Sequence, residues 1–232
     1  MSKFIMMTSC EEKQGKTLFS LTASKFLSKD KKVLLVDLSN SEKDCSHYLD
    51  IKEQVIYDVV DLIKETCSMD QALISIEEEN FSFDFLPAPR IKEKYKKLDL
   101  GHLKKIFMES NGIYDYVIID GSSIADDIKT SSYEIIDLAL ILSYSKIEDV
   151  KKIFSSLNII GNDVKNVKLV INKIKEKDEK KGIALTIKEV EELLKVPVAG
   201  RIKFAKKYND LDKNFLNEEE LEELKSLIDK II

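Results

Sequence analysis

The sequence predicts an α/β fold, in which a doubly wound, mostly parallel sheet has helices on both faces. Short, continuously apolar runs recur along the chain, which is the pattern of parallel strands buried on both sides. Helical patterns alternate with these runs, as in folds built from βαβ units. No linker rich in proline, glycine or serine divides the chain, so we expect one P-loop-NTPase-like domain over residues 1–232.

The predicted strands are the apolar runs of four to six residues that separate these helical patterns. The predicted strands cover residues 3–8, 33–37, 83–86, 116–120, 138–143 and 167–172, with a last short one near 198–202. Several of them, such as the run that ends at Asp37, are apolar throughout and not alternating. If they are parallel, their carboxyl ends meet along one edge of the sheet, where such folds bind ligands.

The predicted helices have apolar residues at three- and four-residue spacing. They cover residues 16–28, 57–66, 101–109, 147–160 and 187–194. A closing helix over residues 217–232 begins with a capping box formed by Asn217 and Glu220. Its single apolar stripe favours docking on the sheet. Membrane anchoring is the alternative, and the glutamates of its first half disfavour it.

Composition excludes several classes of protein. With a net charge of −5, the chain offers no general attraction to DNA or to anionic lipid. Three cysteines and two histidines without metal-ligand spacing argue against a zinc site, and unpaired thiols suit a reducing cytosol. No apolar stretch approaches the roughly 18 residues that a membrane span needs. We therefore expect a soluble, cytoplasmic protein.

The segment between the first strand and the first helix has the spacing of a phosphate-binding loop. The pattern G-x-x-x-x-G-K-T ends at Gly15, Lys16 and Thr17, but Cys10 occupies the first glycine position. In such a loop, main-chain amides and the positive end of the helix dipole point at an anion. The lysine reaches the β- and γ-phosphates, and the threonine hydroxyl binds Mg²⁺. The segment therefore predicts a nucleotide site.

Polar residues that end three other strands strengthen this prediction. Asp37 and Asp120 each end a buried strand, and two carboxylates near a nucleotide suit Mg²⁺ held largely through its waters. Asn172 ends a later strand with an amide that can donate to and accept from an adenine edge. The alternatives are ordinary carboxylates that start turns and an ordinary strand-end asparagine. The ordered combination of these features favours the nucleotide site.

This ordered set resembles the MinD/ParA family of deviant-Walker P-loop ATPases over almost the whole chain. The family loop K-G-G-x-G-K-T matches residues 11–17, and its strand end D-x-D matches residues 37–39. Its Walker B aspartate matches Asp120, and its adenine-contacting asparagine matches Asn172. Its late segment P-V-L-G-x-I-P matches residues 196–202.

A shorter likeness points to one branch of that family. Residues 85–89 resemble the L-P-A-P strand end of the MinD branch, above all of the CpaE/TadZ pilus-localisation proteins and the related capsule tyrosine kinases. A self-phosphorylating tyrosine kinase would need a C-terminal tyrosine cluster, and the last tyrosine here is Tyr208. The pilus-localisation branch is therefore the preferred prediction.

The resemblance implies ATP and Mg²⁺ as ligands. It implies that Thr17, Asp37 and Asp120 hold the metal and that Lys16 and Asp37 take part in catalysis. The implied nucleotide contacts are Cys10, Glu11, Glu12, Lys13, Gln14, Gly15, Lys16, Thr17, Leu18, Asn172 and Ile202.

The departures from the family pattern predict weak or absent hydrolysis. Glu11 replaces the family's signature lysine, which reaches across a dimer, and a carboxylate there repels a triphosphate by about 1 kcal/mol or more. Glu12 and Lys13 replace two glycines, and Ser39 replaces the aspartate that orients the attacking water. Phosphoryl transfer depends on positioning and electrostatics, so hydrolysis suffers more than binding. Lys13 is either a substitute for the lost lysine or a solvated cation.

The resulting hypothesis is an ATP-binding spatial regulator or assembly factor. It implies an ATP-dependent homodimer that recruits protein partners of a polar or membrane-associated assembly, with a pilus or secretion assembly preferred. Those partners bring it to the cell pole or the inner membrane face, so membrane contact is indirect, and nucleic acid is not an expected partner. The alternatives are a scaffold that has lost nucleotide binding and an active partitioning or septum-site ATPase.

Overall fold

A computed structural model describes residues 1–41, 43–95, 103–123, 133–160, 166–203 and 221–232. Its strands are β1 (Lys3–Ser9), β2 (Val33–Asp37), β3 (Ile74–Glu78), β4 (Phe81–Leu86), β5 (Tyr116–Ser123), β6 (Leu138–Ser143), β7 (Val167–Ile174) and β8 (Val198–Lys203). They form one sheet in the order β3-β4-β2-β5-β1-β6-β7-β8. Only the β3–β4 pair is antiparallel among these described strands. The predicted mostly parallel sheet is confirmed.

Helices cover both faces of this sheet. They are α1 (Lys16–Leu27), α2 (Cys45–Tyr48), α3 (Val59–Ile63), α4 (Met69–Ala72), α5 (Lys92–Tyr95), α6 (Leu103–Ser110), α7 (Ile147–Ile160), α8 (Glu176–Lys180), α9 (Ile187–Leu194) and α10 (Glu222–Ile231). Short 3₁₀ turns lie at Lys52–Gln54 and Tyr133–Ile135.

Alternation along the central strand β1 divides the apolar core into two layers. Phe4 and Met6 join a cluster with buried residues of α3, α4, α6, α7 and α9. Ile5 and Met7 join a second cluster, which contains buried residues of α1 and α10. Successive side chains of a strand point to opposite faces, so one apolar run serves both layers.

The structure departs from the sequence prediction chiefly at the β3 edge. The strand Ile74–Glu78 was not predicted, and it pairs antiparallel with Phe81–Leu86. Its alternating, half-exposed residues differ from the continuous runs of the parallel strands. Helix α3 is shorter than the predicted 57–66: Asp58 caps its start through a capping box with Asp61, and Glu65, with φ +60°, leaves the helical conformation beyond its end.

The closing helix docks on the sheet, as its apolar stripe predicts. Leu224, Ile228 and Ile231 are buried in the α1 layer. At its end, the Lys3 ammonium donates to the carbonyl of Ile232 at 2.8 Å. The predicted capping box of Asn217 and Glu220 lies outside the described residues. Of the helices that are described, none combines the length and the apolar content needed to cross a bilayer.

Candidate nucleotide-binding site

The predicted loop connects the carboxyl end of β1 to the first turn of α1. Gly15 precedes the helix with φ +99°, a backbone region that side chains rarely adopt. A Cβ at this position would also lie 2.4 Å from the Asn172 side-chain nitrogen, so both conformation and space require glycine. The following amides, from Lys16 to Leu18, form a first helical turn and have no intrahelical acceptors. The segment has the geometry of an anion-binding helix start.

Lys16 lies folded over this loop. Its ammonium donates to the Ser9 hydroxyl at 2.9 Å, and that hydroxyl in turn donates to the carbonyl of Glu11. The lysine thus has a position defined by the loop's own atoms. Its ammonium is the group that would meet a bound polyphosphate.

The two predicted carboxylates lie together behind the loop. Asp37 and Asp120 are direct register partners on neighbouring strands, and both are fully buried. Asp120 accepts hydrogen bonds from the hydroxyls of Thr17 at 2.7 Å and Ser20 at 3.2 Å. Asp37 accepts the amides of Ser39 and Cys45, each at 2.8 Å. The parallel topology therefore brings Thr17, Asp37 and Asp120 into one site.

Burial of this pair makes its charges unfavourable without a cation. Loss of solvent, and then the charge of Asp120, raise the pKa of Asp37 to about 7. Burial also raises the pKa of Asp120, although the Lys16 ammonium and the hydroxyl of Thr17 oppose that shift. The two carboxyls titrate as a pair. Strongly shifted carboxyls in one place are typical of a functional site.

The side chains around the pair fit a hard divalent cation. Ligand atoms of Asp37, Cys45 and Asp120 lie within 4.8 Å of one another. Oxygen atoms dominate this set once the Thr17 hydroxyl is included, and oxygen is the ligand that Mg²⁺ prefers. The buried Ser39 hydroxyl adds a further oxygen beside Asp37, and it opposes the rise in the pKa of that carboxyl. The Cys45 thiol is a weaker candidate ligand, because burial raises its pKa well above the usual value.

The other predicted contact residues hold the loop in place or lie in the core. Asn172 donates to the carbonyl of Gln14 at 2.9 Å and accepts the amide of Lys173 at 2.7 Å. It therefore supports the loop, and its contact with adenine stays a prediction. Within the described part of the chain, no donor reaches the buried side-chain oxygen of Gln14. Ile202 is buried in the α1 layer, and Leu18 packs partly against the same layer.

The outer side of the loop faces α7 and the residues before it. Glu11 forms an ion pair with Lys152, so the repulsive carboxylate expected from the sequence has a cation beside it. The Cys10 thiol meets the Ser156 hydroxyl at 3.5 Å. Lys13 adopts φ +60° although it is not glycine, and its side chain is exposed, as is that of Glu12.

Sequence reasoning missed several of these residues. Ser20 carried a usable signal, because it lies one turn after Lys16 on the same helix face. No signal in the sequence identified Cys45, because its position beside the carboxylates depends on the short helix α2. Lys152 and Tyr144 also gave no signal, since more than 100 residues separate each of them from the loop.

Comparison with known proteins relates the chain to a nucleotide-binding family. Residues 5–217 match the model of the CobQ/CobB/MinD/ParA nucleotide binding domain. The septum site-determining protein MinD of Helicobacter pylori is 26% identical over 180 residues, which cover 74% of this chain and 66% of that protein. MinD of Bacillus subtilis is 24% identical over 203 residues, covering 86% and 75% respectively. The chain thus spans about two thirds to three quarters of these relatives.

Solved structures share the fold. The MinD cell division protein of Aquifex aeolicus superimposes with a TM-score of 0.80 at 22% identity, covering 99% of this chain and 95% of that one. MinD of Pyrococcus horikoshii, solved in complex with Mg-ADP, gives a TM-score of 0.80 at 16% identity, covering 100% and 96%. At these identities the likeness establishes the α/β architecture.

Proposed function

This chain belongs to the family of CobQ/CobB/MinD/ParA nucleotide-binding domains, and from that premise we propose that it binds ATP with Mg²⁺ and acts as a spatial regulator or assembly factor. One observation carries the proposal. The loop ends at Lys16 and Thr17, and the Thr17 hydroxyl is hydrogen-bonded to the buried Asp120 beside Asp37. Such a group of residues would hold a cation beside bound phosphates.

Each residue has a role that follows from its position. Lys16 and the first-turn amides of α1 bind the phosphates. Thr17, Asp37 and Asp120 would hold Mg²⁺, which supplies positive charge to the phosphate oxygens when bound. A cation there would also favour the ionised form of the two buried carboxyls.

We propose that hydrolysis is slow or absent. Ser39 stands where the family has a water-orienting carboxylate, and Glu11 where it has a lysine. A serine hydroxyl is a weaker acceptor for a water proton than a carboxylate, and Glu11 offers no positive charge to the transferred phosphoryl group. Lys16 and Asp37 remain as the candidate catalytic residues.

The proposed biological role follows from the family and from one segment. The protein forms an ATP-dependent homodimer in the cytoplasm, and protein partners recruit it to the cell pole or the inner membrane face. The likeness of residues 85–89 to the CpaE/TadZ branch supports a pilus or secretion assembly as the structure that it localises. The names of its relatives support a second candidate, a septum-site regulator.

A nucleotide titration tests the central proposal. Thermal unfolding is measured with increasing ATP and Mg²⁺, and ligand at 100 times its Kd should stabilise the fold by about 2.7 kcal/mol. Lys16→Ala should abolish this shift, whereas Lys31→Ala, an exposed lysine beyond the same helix, should keep it. Absence of any shift at millimolar ATP would overturn the proposal and favour a scaffold without nucleotide.

A further inference from the structure

Residues 144–156 contact the phosphate-binding loop at three places. The Tyr144 hydroxyl donates to the carbonyl of Lys13 at 2.7 Å. Lys152 forms an ion pair with Glu11, and Ser156, one helical turn further, meets Cys10. Two of these contacts come from one face of α7, since residues four apart on a helix lie side by side. We call residues 144–156 the brace of the loop.

The brace contacts the loop at Lys13 and Glu11, two positions where the loop departs from the family pattern. Lys13 holds a left-handed conformation that disfavours a side chain, and Tyr144 binds its carbonyl. Glu11 carries a negative charge on the loop, and Lys152 is the cation that contacts it. The Tyr144 contact thus orients the backbone at Lys13, and the Lys152 contact compensates the charge of Glu11.

The Glu11 main chain is linked directly to the lysine of the cradle. The Ser9 hydroxyl donates to the Glu11 carbonyl and accepts from the Lys16 ammonium. The acidic residue Glu11 is therefore part of the same short loop as the lysine that would bind the anion. Another acidic group lies near Glu11: burial, and to a lesser degree the Glu11 charge, raise the pKa of Asp149.

We propose that Lys152 is a positioning residue for polyphosphate binding: by pairing with Glu11 it removes that carboxylate's charge from the anion site. The inference rests on the proposed ATP binding. Through this pairing, the Lys152 ammonium makes the acidic loop compatible with a bound triphosphate. The Lys152 and Glu11 side chains are 52% and 42% exposed, so the pair contributes little to stability and its effect is expected in affinity.

The two partners should have opposite effects when neutralised. Lys152→Gln exposes the Glu11 charge and should weaken ATP·Mg binding by about five- to tenfold at low salt. Glu11→Gln removes the repulsion and should increase affinity by about twofold. The double variant should return to within about twofold of the wild type, because the harmful charge is gone.

Affinities for ATP·Mg and ADP·Mg are measured by calorimetry for the wild type and these three variants. Lys151→Gln is the matched control, because it removes one charge from the neighbouring exposed position of the same helix. The loss in Lys152→Gln should be greater for ATP than for ADP and should shrink as salt rises. The melting temperature without nucleotide should stay within about 2 °C of the wild type.

The outcomes separate this inference from the proposed function. Wild-type protein that binds no nucleotide overturns both. Wild-type binding with an unchanged Lys152→Gln variant overturns the inference alone. Equal weakening by Glu11→Gln and Lys152→Gln, without rescue in the double variant, also overturns it, since it would mark the pair as a purely structural link.

Discussion

At the scale of single residues, the buried carboxylate pair is the most informative feature. Asp37 and Asp120 are direct partners on neighbouring strands, and neither side chain is exposed to solvent. Hydrogen bonds from amides and hydroxyls satisfy their oxygens but do not cancel two charges. Their raised pKa values mean that the unliganded fold prefers to keep a proton at this site. The stability of the unliganded protein therefore depends on pH.

The direction of this dependence follows from proton linkage. Both folded-state pKa values lie above the ordinary aspartate value, so the folded protein binds more protons than the unfolded chain. The stabilisation is complete below about pH 4 and is lost as the pH rises to about 7. Asp120→Asn removes one charge, and its side chain can still bond to the rotating hydroxyls of Thr17 and Ser20. We expect it to be more stable than the wild type by on the order of 1–3 kcal/mol near pH 8.

Urea unfolding in the presence of a chelator measures this difference. The advantage of Asp120→Asn should disappear near about pH 4, where both proteins have a neutral pair. Asp229→Asn, an exposed carboxylate on α10, serves as the control and should show no such trend. An Asp120→Asn protein that loses the same stability at both pH values would contradict the prediction.

At the scale of elements, the closing helix α10 shows how an apolar stripe becomes a packed layer. Leu224, Ile228 and Ile231 lie at three- and four-residue spacing and are buried together. They cover the α1 face of the sheet, where Cys45 of α2 is also buried, while α3, α4, α6, α7 and α9 cover the other face. The helix thus completes one face of the fold.

Truncation of one residue of this stripe should destabilise the protein strongly. Ile228 is 0% exposed, so Ile228→Ala leaves a cavity and should lower the free energy of unfolding by about 2–4 kcal/mol. Lys230→Ala, on the exposed side of the same helix, should change it by less than about 0.5 kcal/mol. Urea unfolding compares the two. Equal, small effects would show that the helix does not pack as described.

At the scale of the whole molecule, strand order creates the site. β1 lies between β5 and β6, so the loop after β1 emerges beside the end of β5. Asp120 bonds to Thr17 behind this loop and Lys152 pairs with Glu11 on its outer side, although these residues come from distant parts of the chain. In doubly wound sheets, ligands bind where the strand order reverses, and this loop lies at such a point.

A nucleotide-dependent homodimer is the whole-molecule prediction. Sedimentation velocity should show a species of 26.6 kDa without ligand and one of about twice that mass with ATP and Mg²⁺. Lys16→Ala should remain monomeric under both conditions, since it cannot hold the triphosphate. A dimer of the same strength with and without nucleotide would contradict the prediction and favour the scaffold alternative.

Much of the fold was predictable because its signals are local. Continuous apolar runs identified the parallel strands, while the edge strand Ile74–Glu78 was missed because it is short, alternating and half exposed. The loop was predictable from Gly15, Lys16 and Thr17, whose spacing is set by a strand, a turn and a helix start. Asp37 and Asp120 followed from the rule that parallel strands end at one edge.

The sequence by itself determined the α/β class, the phosphate-binding loop and the two carboxylates behind it, because these depend on periodicity and spacing within single elements. Only the tertiary structure decided that Cys45 joins the carboxylates, that Asn172 supports the loop and that Lys152 neutralises Glu11. Those contacts span up to 158 positions of the chain. They depend on how each helix and strand end lies across the sheet, which no local pattern specifies.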